Sequence, residues 1–123
     1  VQLAHKPGAL AALCRELERQ GVDLKAIGGG GIGEVGHVIL KTADDVKTRA
    51  VLEAGSYTFI ESESVLAEVD DQPGGMLSVL DRLAAAGVNV YGHLFMGRWG
   101  ERATFAFVVD DPAKARAALG QEY

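Results

Sequence analysis

Two short stretches hold the residue types from which a ligand contact is most readily built. One is His5-Lys6-Pro7-Gly8 with Ala9-Leu10 after it, and the other is Asp71-Gln72-Pro73-Gly74 with Gly75-Met76 after it. Each Pro-Gly leads into apolar residues spaced i, i+3, i+4, i+7, the pattern of an amphipathic helix: Leu10, Leu13, Cys14 and Leu17, then Met76, Val79, Leu80 and Leu83. The first amides of a helix have no intrahelical acceptor, so such a turn favours a carboxylate. Glycine after proline removes the Cβ that would keep a ligand away from the backbone. The structural alternative is that Pro-Gly only makes a tight turn from strand to helix.

Other chemistry finds little support. His5, His37 and His93 lack the i, i+4 spacing of metal ligands, and the single Cys14 excludes an internal disulfide and a cysteine-based cluster. On its apolar helical face Cys14 reads as a buried, inert thiol. Ser56, Ser62, Ser64 and Ser78 have no Gly-x-Ser-x-Gly setting. The pairs Asp44-Asp45, Asp70-Asp71 and Asp110-Asp111 fall at turns or helix starts, where capping explains them. Gly28, Gly30 and Gly33 match Gly-x-Gly-x-x-Gly, but a strand follows where a dinucleotide site needs a helix. No catalytic residue, metal ligand or cofactor site is therefore assigned. A net charge of −5 without a Lys/Arg cluster argues against nucleic acid. No apolar run reaches the ~18–20 residues that span a bilayer, and a cytoplasmic location is the default.

The elements that position these residues come in two copies. Residues 5–24 and 71–90 align without a gap at an offset of 66, with Pro, Gly, Leu, Gly and Val at matching places, and the same offset carries Asp44-Asp45 onto Asp110-Asp111. Such self-similarity means two alike supersecondary units. In the first copy the pattern predicts a strand at 1–4, a helix closed by Gly21, and strands after Val22 and at 38–40. A helix follows from Asp44 to about Ala54, with Val46, Ala50 and Val51 inward, and then a strand at 57–60 that runs on toward the second copy. The second copy repeats the order, with a strand from Val88 to Met96, a turn at Gly97–Gly100, a strand at 103–109, and a helix from Asp111-Pro112 to about Leu119. It lacks or truncates its last strand. The expected fold is α+β: two ferredoxin-like β-α-β-β-α-β repeats at 1–63 and 64–123, each with its helices on one face of an antiparallel sheet. A lone ~60-residue unit is marginal, so the halves are expected to lean on each other. The tract Gly28–Gly31 reads either as a mobile loop between strands or as a place of close approach by a ligand or backbone; in the second copy Leu94, Phe95 and Met96 take the places of Gly28, Gly29 and Gly30.

Pro7-Gly8-Ala9-Leu10 with Gly21-Val22-Asp23-Leu24, and Pro73-Gly74-Gly75-Met76 with Gly87-Val88-Asn89-Val90, resemble the signature of ACT domains. The tandem layout is similar to small stand-alone proteins of two ACT domains. The resemblance implies a non-enzymatic protein that binds a free amino acid or similar ligand between paired domains and regulates amino-acid metabolism. It also implies which residues touch the ligand: the residue two before Pro, the Pro-Gly loop, and the polar residue after the helix of the neighbouring domain. Carried onto this chain, one site joins His5, Lys6, Gly8, Ala9 and Leu10 to Asn89, Val90 and Tyr91. The second, weaker site joins Asp71, Gln72, Gly74, Gly75 and Met76 to Asp23, Leu24 and Lys25. Two carboxylates near one ligand cost on the order of 1–4 kcal/mol at about 4 Å, so the site around His5 is expected to be the stronger. Expected partners are the amino acid and a second copy of the chain, as a homodimer. The alternative is an interaction or dimerisation module without a small ligand, for which Trp99 is the natural anchor.

Overall fold

Gly8 and Gly74 occupy the same point in two repeated units, with φ of 87° and 85°, left-handed backbone that a side chain resists. In the computed structural model, which describes residues 1–121, the chain divides into the units Val1–Ile60 and Glu61–Tyr123. The first runs β1 (Gln2–Ala4), α1 (Ala9–Arg19), β2 (Leu24–Ile32), β3 (Val35–Thr42) and α2 (Asp45–Ala54). The second runs β4 (Ser64–Asp70), α3 (Gly75–Ala85), β5 (Val90–Trp99), β6 (Arg102–Val109) and α4 (Pro112–Ala118). Their sheets have the orders β1-β3-β2 and β4-β6-β5, antiparallel throughout, so the third strand of each unit inserts between the two that the first helix connects. This is the split β-α-β of the ferredoxin-like fold, twice.

The apolar spacing of α1 and α3 places Leu13 and Leu17, and Val79 and Leu83, in the two cores. In the first unit they meet Val22, Val38, Val51 and Leu52; in the second they meet Val65, Val69, Phe107 and Val109. Asp44 and Asp111 cap α2 and α4, each accepting an amide three residues on, from Lys47 and Lys114, at 3.0 Å. These caps are 67 residues apart rather than 66. The second hairpin holds one more residue than the first, and the register shift between Phe95 and Gly97 in β5 marks an irregularity in that hairpin.

Several expectations need correction. Residues 57–60 form no strand. The Gln2 amide donates to the Thr58 carbonyl at 2.9 Å, and at Ala4 the carbonyl accepts from the Lys6 amide, where β1 gives way to the turn. Tyr57 and Phe59 instead pack their side chains against the first core. The join between copies is thus not continuous strand. In α2, Val46 is 70% exposed and Ala50 is exposed as well. Thr48 is half-buried in their place, its Oγ1 donating to the Asp44 carbonyl and accepting from Thr42 Oγ1, and Val51 and Leu52 face the core. Cys14 is half-buried, not buried, because it lies beside the Leu13–Leu17 line rather than on it. Both hairpins turn later than expected. Gly28–Gly31 is paired strand, and β5 runs through Gly97 to Trp99. The place for a last strand in the second copy lies outside the described residues.

Candidate functional site

A strand that contains four glycines leaves a gap wherever its side chains should have packed. Paired residues of adjacent strands share a face, and Leu3 opposes Gly36, Gly29 opposes Val38, and Gly31 opposes Gly36. Leu3 and Val38 belong to the first core, so Gly29 and Gly31 lie on the face that α1 covers. A cavity of 410 Å³ opens between this face and the first turn of α1. His5, Lys6, Ala9 and Leu10 form one side of it; Ile27, the tract Gly28–Gly31, Gly36, His37 and Val38 form the other, with Leu3 and Ala4 from β1. The volume lies within the ~300–1,000 Å³ of small-ligand pockets.

The glycines are there for different reasons. At Gly29 φ is 153° and a Cβ would sit 2.2 Å from the His37 carbonyl oxygen, so the backbone forbids any side chain. At Gly31 a Cβ would sit 2.7 Å from the His5 ring, so this glycine lets the imidazole lie against the strand. The ring is held there by a 3.0 Å hydrogen bond from Nδ1 to the Gly33 carbonyl. Because a carbonyl only accepts, Nδ1 carries the proton, and Nε2 is left as an acceptor in the neutral ring or a second donor when the ring is charged.

The second unit is built differently at the equivalent place. Phe95 stands where Gly29 does and opposes Phe105, their ring centroids 5.6 Å apart, and Phe105 packs on the second core. Gly75, the counterpart of Ala9, lies so close to the end of β4 that a Cβ would meet the Asp70 carbonyl oxygen at 1.9 Å.

Of the residues assigned to the stronger site, the structure brings His5, Lys6, Ala9 and Leu10 together in this cavity. Gly8 shapes the turn without lining the wall. Asn89 precedes β5 in the second unit, and Val90 and Tyr91 begin it. Asn89 has its backbone tied at both ends to Asp110: its amide donates to Asp110 Oδ1 at 3.0 Å and its carbonyl accepts from the Asp110 amide at 3.1 Å. For the weaker site, Asp71 pairs with Arg98 at 3.1 Å and Asp23 with Lys25 at 2.5 Å. Each carboxylate thus has a counter-ion in its own unit, and the repulsion on which that site was marked down is reduced. Gln72 and Gly74 make the turn, Met76 packs on the second core, and Leu24 begins β2. The wall contributed by β2 and β3 was missed as a site, although one signal was visible: glycines standing where the other copy has Leu94, Phe95 and Met96. Among the described residues no three His, Cys, Asp or Glu side chains gather as a metal site requires, and no helix is long and apolar enough to cross a membrane.

Fold and cavity together define an α+β protein of two ferredoxin-like repeats, the first enclosing a space of small-ligand size. No family model and no curated protein matches the chain. Solved structures do match. A protein of Bacteroides thetaiotaomicron superposes with a TM-score of 0.74 at 19% identity, over 97% of this chain and 82% of that one. The regulatory subunit of aspartate kinase from Thermus thermophilus, in a ligand-free form, superposes with a TM-score of 0.65 at 15% identity, over 98% and 85%. At such identities the likeness shows the fold alone.

Proposed function

We propose that this protein is a non-catalytic regulator that binds a free amino acid or a similar small ligand at the turn from His5 to Leu10. The observation that carries this reading is the cavity, because the residues singled out in the first turn form one of its walls. The lining has no paired acid and base and no nucleophile beside a base, so binding rather than turnover is the task it suits. The regulatory role draws support from the shared fold with an aspartate kinase regulatory subunit. Thermal shift against the twenty amino acids tests the reading. A ligand at ~100 Kd adds about 2.7 kcal/mol of stability, and silence across all twenty would overturn it.

One observation favours a second reading. Trp99 is 86% exposed at the end of β5, a costly place for the largest side chain unless a partner covers it. Sedimentation across a range of concentrations, with Trp99→Ser beside the unaltered chain, tests for self-association through this residue; identical behaviour of the two would remove it.

A further inference from the structure

We propose that the ligand is a small carboxylate with an apolar body, housed wholly within the first unit. Its body lies in the cavity beside Gly29 and the His5 ring, and its carboxylate is turned toward Lys6. This rests on the small-ligand reading and narrows it to a chemical class.

The shape of the cavity follows from a difference between the two copies. The same strand position holds Gly29 in one unit and Phe95 in the other, and the position at the helix start holds Ala9 in one and Gly75 in the other. In the second unit Phe95, half exposed, lies beside Phe105 on that sheet face, and α3 starts in contact with the end of β4. In the first unit the His5 ring lies against Gly31 and a cavity remains beside Gly29, where the backbone leaves no room for a Cβ. A void between a helix and a sheet loses the contacts of every atom that lines it. An apolar body of matching size restores them.

The charge of the walls sets the other half of the ligand. Leu3, Leu10, Ile27 and Val38 are apolar, the glycines add backbone, and no Asp or Glu lines the cavity. Its one fixed charge is the Lys6 ammonium, which has no ion-pair partner among the described residues. A carboxylate therefore meets a cation at the wall. A ligand ammonium finds no side chain of opposite charge, and a second charge farther along the ligand would be desolvated against apolar walls. Aliphatic carboxylates fit these terms, whereas amines and dicarboxylates do not.

Calorimetric titration of the full chain separates the contributions. The probes are leucine, 4-methylpentanoate (leucine without its amino group), 3-methylbutylamine (leucine without its carboxylate) and aspartate. Leucine and 4-methylpentanoate should both bind, with the amine and aspartate at least about tenfold weaker, the cost of a lost or misplaced charged contact. Ala9→Phe, which fills the cavity, should abolish binding of both. Lys6→Gln should weaken both by about tenfold. Should Ala9→Phe fail to fold, Gly31→Ala serves instead: its methyl displaces only the His5 ring, and it should weaken binding of both. Binding of 4-methylpentanoate without leucine would uphold this class and remove the amino-acid reading. Leucine without 4-methylpentanoate would do the reverse. Amine or aspartate binding as tight as leucine, unchanged binding in the cavity variants, or silence of all four probes would overturn the proposal, and the twenty-amino-acid panel would then judge the broader reading alone.

Discussion

Gly29 and Gly30 are neighbours, both in β2, yet the same substitution should act on them with opposite sign. At Gly30 an added Cβ meets nothing within 4 Å and the backbone is not left-handed. Alanine there restricts the unfolded chain at no cost to the folded one, a gain of about 0.4–1 kcal/mol. At Gly29 φ is 153° and the Cβ would lie 2.2 Å from the His37 carbonyl oxygen. Forcing a side chain into such a backbone costs about 1–3 kcal/mol, and the overlap with a cross-strand carbonyl costs about another 1–3 kcal/mol. The two variants should therefore part by roughly 2.5 kcal/mol or more, a large share of the ~5–15 kcal/mol that holds a typical domain together. Urea unfolding followed by circular dichroism, with the slope m held as a check on the unfolded state, measures the difference directly. If Gly29→Ala and Gly30→Ala unfold within about 0.5 kcal/mol of each other, the glycine tract is not the paired strand described here, and the cavity built on it goes with it.

Three further outcomes follow from the same geometry. Gly75→Ala, whose methyl would meet the Asp70 carbonyl at 1.9 Å, should cost about 1–3 kcal/mol in urea unfolding; Gly8→Ala, with open space around it, should cost only the strain of its positive φ. Asp44→Ala and Asp111→Ala each remove a side-chain cap and should lower stability by about 1 kcal/mol, with the loss of helix signal near the melting point as the check. Phe107→Ala empties the fully buried centre of the second core and should cost about 3–5 kcal/mol, read from the shift of the urea midpoint, while Arg98→Ala, which breaks an exposed ion pair with Asp71, should stay within about 1 kcal/mol of the parent.

Much of this architecture is legible in the chain because its signals are local. A Pro-Gly before an apolar i, i+3, i+4, i+7 series predicts the start of a helix from backbone sterics alone, and finding it twice at a constant offset predicts two like units. The caps at Asp44 and Asp111 are equally local, since an aspartate reaches an amide three residues ahead. The inward face of α2 was not legible. Val46, Ala50 and Val51 make a plausible stripe, but the bond between Thr42 and Thr48 is a contact between elements, and it decides which side turns in. Nor was the absence of a strand at 57–60 legible: alternating Tyr57 and Phe59 read as strand, whereas both pack on the first core and β1 ends in the turn after Ala4.

In the sequence the first Pro-Gly turn reads as a candidate place for a small anion, and the resemblance names His5, Lys6, Ala9 and Leu10 there. What faces them was not legible. Four glycines in a row are compatible with a loop or a strand, because glycine's freedom leaves both open. Pairing with β3 removes the choice and turns two of the four toward α1. Likewise, both copies carry the same turn, and only the packing around each shows the first beside a cavity and the second with Phe95 next to Phe105 and Gly75 against the Asp70 carbonyl. The repeat and its helices were thus determined along the chain, where neighbours in sequence are neighbours in space. The cavity was decided by residues some twenty to thirty positions apart, whose meeting depends on strand register.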